Sequence, residues 1–234
     1  MRAVVTETRE VAKGTLLVLL AVDGYPVYRP GAYFWVELPD RGHEDDKGLR
    51  RHISLVTSPT DAGVVGLATR LRDTAFKRTL AELQVGDEVE VEEPKGSFLL
   101  PEETSAEYVF VAGGIGITVF RSMLRYIAAE QLPYRVTLVY SNRDRESAAF
   151  LDELENLEER IDGLRVVLTM TEQAGWEGES RRIDAAMLRD HVGELDDKQF
   201  LVAGPPAMTE AVVEALHAAG VPEVRVLADK FSGY

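Results

Sequence analysis

Not one of the 234 residues is a cysteine. Disulfides, thiolate zinc sites, cysteine nucleophiles and any iron–sulfur cluster held by this chain's own thiolates are therefore excluded. Histidine is scarce as well: His43, His52, His191 and His217 are the only four, and none stands at metal-ligand spacing from another. No protein-bound metal is expected, and any redox chemistry would need an organic cofactor. Positive charge is in deficit, with 26 Lys and Arg against 40 Asp and Glu and a formal net charge of −14. Such a surface repels a phosphodiester backbone, so no nucleic-acid partner is expected. Long hydrophobic runs are missing too: no apolar stretch approaches the roughly 20 residues that span a bilayer. The N-terminus, Met1-Arg2-Ala3-Val4-Val5-Thr6-Glu7, goes straight into strand-like alternation without a signal-peptide core. A soluble, cytoplasmic protein without a membrane span is the expectation. Internal repeats and low-complexity segments are also lacking.

What is present is a chain with 45% hydrophobic residues, long enough for two modest domains with real cores. Residues 1–101 read as an antiparallel six-stranded β-barrel. Runs rich in Val, Leu, Thr and aromatics at 3–8, 15–22, 32–38, 51–57, 64–70 and 88–92 are separated by turn signals such as Asp23-Gly24, Pro30-Gly31 and Gly86-Asp87. One helix, near 75–83, interrupts them. After a polar linker, residues 105–234 switch to strand–helix alternation, which implies a mostly parallel α/β sheet. Strands are expected at 108–112, 135–140, 164–169, 199–203 and 223–227, with helices at 117–130, 146–160, 184–191 and 206–219.

The α/β half begins on its most informative stretch, Tyr108-Val109-Phe110-Val111-Ala112-Gly113-Gly114-Ile115-Gly116-Ile117-Thr118-Val119-Phe120. A buried-strand run passes through three glycines and picks up helical spacing at Ile117, Phe120, Leu124 and Ile127. Glycines at a strand-to-helix turn bring bare N–H groups close to a ligand, and the helix start favours an anion. The same glycines fit a purely structural turn. The usual dinucleotide fingerprint, Gly-x-Gly-x-x-Gly with an acidic residue about twenty positions on, is not met: no third glycine follows Gly116, and the next strand ends in Ser141-Asn142-Arg143. A second corner, Gly204-Pro205-Pro206-Ala207-Met208, combines close approach with stiffness, and Pro206 suits a first helical position.

Two further segments carry chemistry-bearing residues. In Arg51-His52-Ile53-Ser54 an arginine and a serine lie three apart, on opposite faces of a regular strand; a guanidinium fork pairs with phosphate and a small hydroxyl serves a ring heteroatom. Arg72-Asp73-Thr74-Ala75-Phe76-Lys77-Arg78 opens the short helix, with Asp73 or Thr74 as its cap and Lys77 near any anion there. Solvated basic residues on an edge strand and a surface helix explain both segments as well.

Together these pieces resemble the ferredoxin–NADP reductase superfamily in its small form, which lacks a fused iron–sulfur domain. Nearly the whole chain takes part: Pro30-Gly31-Ala32-Tyr33, Arg51 to Ser54, Thr74 to Lys77, Pro94-Lys95-Gly96-Ser97-Phe98, Gly113 to Thr118, Gly204 to Met208 and the ending Phe231-Ser232-Gly233-Tyr234. The resemblance implies a flavin-binding barrel followed by a nicotinamide-nucleotide domain, in an NAD(P)H-dependent flavoprotein reductase. Hydride would pass from NADPH or NADH to bound FAD, rather than FMN, and electrons onward to a separate ferredoxin, flavodoxin or oxygenase component, or to a small-molecule acceptor. Arg51 would pair with the flavin diphosphate, with His52 and Ile53 beside the cofactor and Ser54 near flavin N5. Thr74, Ala75, Phe76 and Lys77 would hold phosphate. Gly114, Gly116 and Thr118 would receive the dinucleotide, Gly204, Pro205 and Met208 would bound its nicotinamide half, and Tyr234 would cover the flavin face. Arg143 and Arg145 follow the second parallel strand, about where a 2′-phosphate would lie, which points towards NADPH, while surface arginines at a helix start would read the same. Ile53 in place of an aromatic and Ala203 in place of a frequent cysteine depart from the pattern. They leave open two other readings, a non-catalytic nucleotide-binding regulatory or assembly subunit and a ferric or free-flavin reductase.

Overall fold

A computed structural model describes residues 1–231. Its first half is a six-stranded antiparallel sheet of β1 (Arg2–Ala12), β2 (Thr15–Ala21), β3 (Tyr33–Glu37), β4 (Arg50–Ser54), β5 (Val64–Arg70) and β6 (Glu88–Val91), ordered β4-β3-β6-β1-β2-β5. Alternation builds it. In β6 the glutamates face water while Val89 and Val91 are buried, and Ala3 and Val5 of β1 do the same from the neighbouring strand. The inward set packs around Phe34 and Leu67, and the helix α1 (Ala75–Ala81) adds Phe76 and Leu80.

The sheet curls but does not lace shut. Its end strands, β4 and β5, share no ladder and are joined beyond Ser54 by a single backbone bond, Val56 N–H to the Gly66 carbonyl at 3.0 Å. That seam is where the candidate site lies.

The second half is a five-stranded parallel sheet of β7 (Glu107–Gly113), β8 (Arg135–Asn142), β9 (Leu164–Met170), β10 (Gln199–Gly204) and β11 (Val226–Lys230), ordered β11-β10-β7-β8-β9. Helices α2 (Ile117–Ala129) and α3 (Leu151–Arg160) cover one face, where Phe110 stacks on Phe120 at 4.9 Å. Helices α4 (Ala185–Val192) and α5 (Pro206–Ala218) cover the other, over Val109, Val111 and Val202. Both faces being buried, β7 is a continuous apolar run rather than an alternating one. The chain steps from β7 to β8 and β9 on one side, then returns to place β10 on the other. The strand order therefore reverses between β7 and β10, and in open α/β sheets the ligand crevice opens at that point.

Two expected elements shift. The last strand is Val226–Lys230 rather than 223–227, because Glu223–Arg225 form a 3₁₀ turn after Pro222. The third helix starts at Leu151 rather than 146: Phe150 takes a left-handed φ of 65°, and Asp144 accepts the Ser147 N–H at 2.8 Å, closing a turn where helix was expected.

Helix α2 ties the two halves together. Ser122 Oγ donates to the Thr57 carbonyl at 2.6 Å and Arg121 Nη1 to the Val56 carbonyl at 2.6 Å. Arg121 Nε also donates to Glu153 at 2.8 Å, and Arg125 joins Glu153 at 2.9 Å to Asp61 at 2.7 Å. The carbonyls so held lie two and three residues beyond Ser54, and the helix that holds them starts at the glycine turn.

Candidate active site

Over the open seam between β4 and β5 lies a cleft of about 450 Å³, within the range of small-molecule sites. Arg51, His52, Ile53 and Ser54 enter from one strand, Ala68, Thr69 and Arg70 from the other, and Gly114, Ile115 and Thr118 from the α/β half. The sequence spacing set Arg51 and Ser54 on opposite faces of the strand. The β4 register against β3 is indeed unbroken, but both residues are buried and both line the cleft. An end strand flanked by a gap presents its edge as well as its faces, so opposite parity does not separate them.

One end of the cleft is strongly basic. Arg51 is buried, with its guanidinium 5.5 Å from the Phe76 ring centroid, and Nη1 donates to the carbonyls of Lys47, Gly48 and Arg50 at 2.6–3.0 Å. Lys77 is 5% exposed and has neither an ion pair nor a side-chain hydrogen bond among the described residues. Burial, then Arg72 and Arg51, push its ammonium down to about 8. Thr74, not Asp73, caps α1, its Oγ1 accepting the Lys77 N–H at 3.3 Å, while Asp73 pairs with Arg78 at 2.7 Å. Phe76 lines the cleft from a fully buried position, and Ala75, equally buried, stands behind it. His52 sits edge-on between Tyr33 at 5.5 Å and Trp35 at 5.1 Å, and all three border the cleft mouth.

The other end is apolar and stiff. Pro205, Pro206 and Phe231 wall it, with the Phe231 N–H donating to the Gly204 carbonyl at 2.8 Å. Ser54 is nearly buried between the two ends, and its hydroxyl makes no hydrogen bond among the described residues. Arg70 crosses between the halves, donating to the Ser147 carbonyl at 3.1 Å. Asp229 faces His52; burial pushes its carboxyl up, and His52 opposes this in part.

The glycines divide by role. Gly114, at φ 51°, faces the cleft, and a side chain there would come within 3.2 Å of the Arg70 guanidinium. Gly116 instead faces inward, where a Cβ would collide with the Ala203 carbonyl, and one on Gly113 would collide with Met208. The two glycine corners match because they pack on each other. Gly204 and Met208 thus belong to the packing behind the wall, and only the prolines of that corner reach the cleft. Arg143 is exposed on the turn after β8, away from the cleft, and Tyr234 falls outside the described residues. Sequence reasoning overlooked Arg70, Asp229 and Trp35. The Arg-x-Arg spacing of residues 70 and 72 was the legible signal for the first.

This division predicts that Gly116→Ala destabilises the fold by about 2 kcal/mol or more, since backbone must move. Gly114→Ala should cost about 1 kcal/mol, from its positive φ, yet narrow the cleft. Urea denaturation of both variants checks the order, which equal losses would contradict.

Residues 110–214 match the family described as "Oxidoreductase NAD-binding domain". This segment carries the glycine turn and the crossing point of the parallel sheet. The whole two-sheet arrangement recurs in the flavohem-like FAD/NAD binding domain of nitric oxide dioxygenase from Vibrio cholerae, with a TM-score of 0.86, 98% of each chain covered and 20% identity, a likeness of fold.

Residues 110–214 are an oxidoreductase NAD-binding domain.

Two curated proteins similar to this chain are a component of the Na(+)-translocating NADH-quinone reductase of Psychrobacter cryohalolentis and NADH-cytochrome b5 reductase 1 of Aspergillus terreus. The first is 25% identical over 82% of this chain and 47% of its own length, the second 26% identical over 76% and 64%. The chain thus spans about half to two thirds of the curated relatives it matches. No helix among the described residues is long and apolar enough to cross a membrane.

Proposed function

We propose that the chain is an NAD(P)H-dependent flavoprotein reductase that holds FAD in the seam cleft and passes electrons to a separate acceptor, with residues 1–101 and 105–234 as its flavin and nucleotide units. One observation carries this reading above the others. A nearly fully buried lysine with no counterion among the described residues sits at the same end of one cleft as Arg51 and Arg72. A buried unpaired cation is costly unless a ligand supplies the anion, and a diphosphate suits three convergent basic groups.

The residues present fit the flavin. Arg51 and Lys77 hold its phosphates, and the Ser54 hydroxyl, not engaged by the protein among the described residues, is free to donate to a ring nitrogen. His52, Tyr33 and Trp35 offer aromatic edges at the mouth. When bound, the flavin supplies hydride acceptance and one-electron release. The remaining work is positional. Gly114 and Thr118 admit the nicotinamide dinucleotide beside Ser54, and Pro205 with Pro206 fix the wall against which it rests. Phe231 excludes water from the ring face. Arg143, with no acidic residue at positions 141 and 142, supports NADPH over NADH. Ala203 bears on packing rather than on the cleft, so its departure from the superfamily pattern does not argue against activity. The acceptor is a ferredoxin, a flavodoxin or an oxygenase component, in keeping with relatives whose names pair reductase activity with different acceptors.

The purified protein should be yellow, and anaerobic NADPH should bleach it faster than NADH does. A colourless protein that stays inert after FAD is supplied would refute the reading.

A further inference from the structure

The basic corner is not left to a ligand alone, because a carboxylate of the protein already stands beside Arg51. Asp45, in the loop between β3 and β4, accepts the Ala75 N–H on Oδ2 at 2.7 Å and the Lys47 N–H on Oδ1 at 2.9 Å. Its Oδ1 also lies 3.8 Å from Arg51 Nη2. These hydrogen bonds, the Ala75 one foremost, hold its carboxyl below the usual carboxylate range. Nothing else in the first turn of α1 is acidic, and the Thr74 cap serves the Lys77 N–H rather than that of Ala75.

We propose, on the reading that this cleft binds flavin, that Asp45 is a built-in competitor for the flavin diphosphate and that FAD enters by expelling the 45–48 loop tip from the corner. Three observations converge on it. The first is chemical: Asp45 lies against the guanidinium of Arg51, which lines the cleft, and two anions cannot share it without repulsion. The second is a count of charge. Asp45 lies against Arg51, and Lys77 remains without a counterion among the described residues, so the corner is set for more negative charge than Asp45 brings. The third is mechanical. Arg51 grips the loop tip through the Lys47 and Gly48 carbonyls, so turning its guanidinium towards a diphosphate loosens the segment that carries Asp45. The base of the loop is anchored elsewhere, by Arg41 to Asp87 and to the Glu82 carbonyl and by His43 to Glu82 at 2.8 Å. The tip can therefore withdraw without the loop unfolding. The consequence for function is an exchangeable flavin rather than a permanently held one.

The test uses the full chain stripped of flavin. FAD and phosphate-free riboflavin are titrated by calorimetry into the wild type, Asp45→Asn and, as a control of equal charge, Asp46→Asn. Asp45→Asn should bind FAD at least about tenfold more tightly, the size of one charge-assisted contact, with riboflavin affinity unchanged and Asp46→Asn like the wild type. Amide hydrogen exchange on the wild type gives a reading that needs no variant: residues 45–48 should exchange faster once FAD is bound. An Asp45→Asn protein that binds FAD no more tightly than the wild type, or a loop tip protected by FAD, would overturn the proposal while leaving the flavin site standing. If no form binds any flavin, the flavin reading itself fails, and Asp45 is an ordinary cap.

Discussion

Replacing Lys77 with methionine is expected to raise the stability of the flavin-free protein while weakening FAD binding by about 10- to 100-fold, the loss of one charge-assisted contact. The two effects have one cause. Lys77 is buried without an ion pair among the described residues, and its ammonium is pushed down from 10.5 to about 8. At pH 7 both folded and unfolded chains carry the proton, so the fold bears the whole penalty, on the order of 3 kcal/mol. Between about 8 and 10.5 the unfolded chain keeps a proton that the folded one has released, so wild-type stability rises with pH across that window. The advantage of Lys77→Met should therefore be largest near neutrality and fade as pH approaches 10.5. Urea denaturation at several pH values measures it. A variant less stable than the wild type at pH 7 would show that Lys77 has a partner in the fold and is not kept for a ligand.

Glu153→Leu is expected to cost about 3 kcal/mol, the second large effect. Glu153 receives both Arg121 and Arg125, and Arg121 is 6% exposed. Burial alone would push its carboxyl up, but the two guanidiniums outweigh burial and hold it below its ordinary value. Removing the acid strands a buried guanidinium, which costs more than the pair itself contributes. The double variant Arg121→Met with Glu153→Leu should recover much of the loss, since no uncompensated charge remains. Strict additivity of the two single losses would mean that the network is not a unit. Because this network spans the two halves, flavin reduction by NADPH should also slow in Glu153→Leu, beyond what unfolding accounts for.

The fold was largely legible because its signals were periodic. Six strands of the first half and four of the second fall within a few residues of their expected positions, since alternation in β6 and the apolar run of β7 leave little choice of burial. Local backbone chemistry defeated the rest: Phe150 in the left-handed region and the 3₁₀ turn after Pro222 are set by single residues that periodicity does not weigh. Arg51, Ser54 and Lys77, picked out by type and spacing, come together in one cleft. Gly116 and Met208 pack one glycine corner against the other, a role the sequence does not reveal, because a glycine required by a neighbouring strand and one required by a ligand look the same in one dimension. Asp45 could not be found at all. The Ala75 N–H it accepts lies 30 residues downstream, in a segment it meets only after the sheet has curled.

The gap between β4 and β5 has a consequence for how the protein fares in a cell. Strand edges that are neither paired nor covered recruit other strands, and proteins that keep them ordinarily guard them with charge or bulges. On the proposed function, the guard is the flavin that would fill the cleft. Chains made faster than cofactor can be supplied should accumulate as aggregates, and flavin added during expression should act as a chaperone does, raising the soluble yield before it takes part in any turnover.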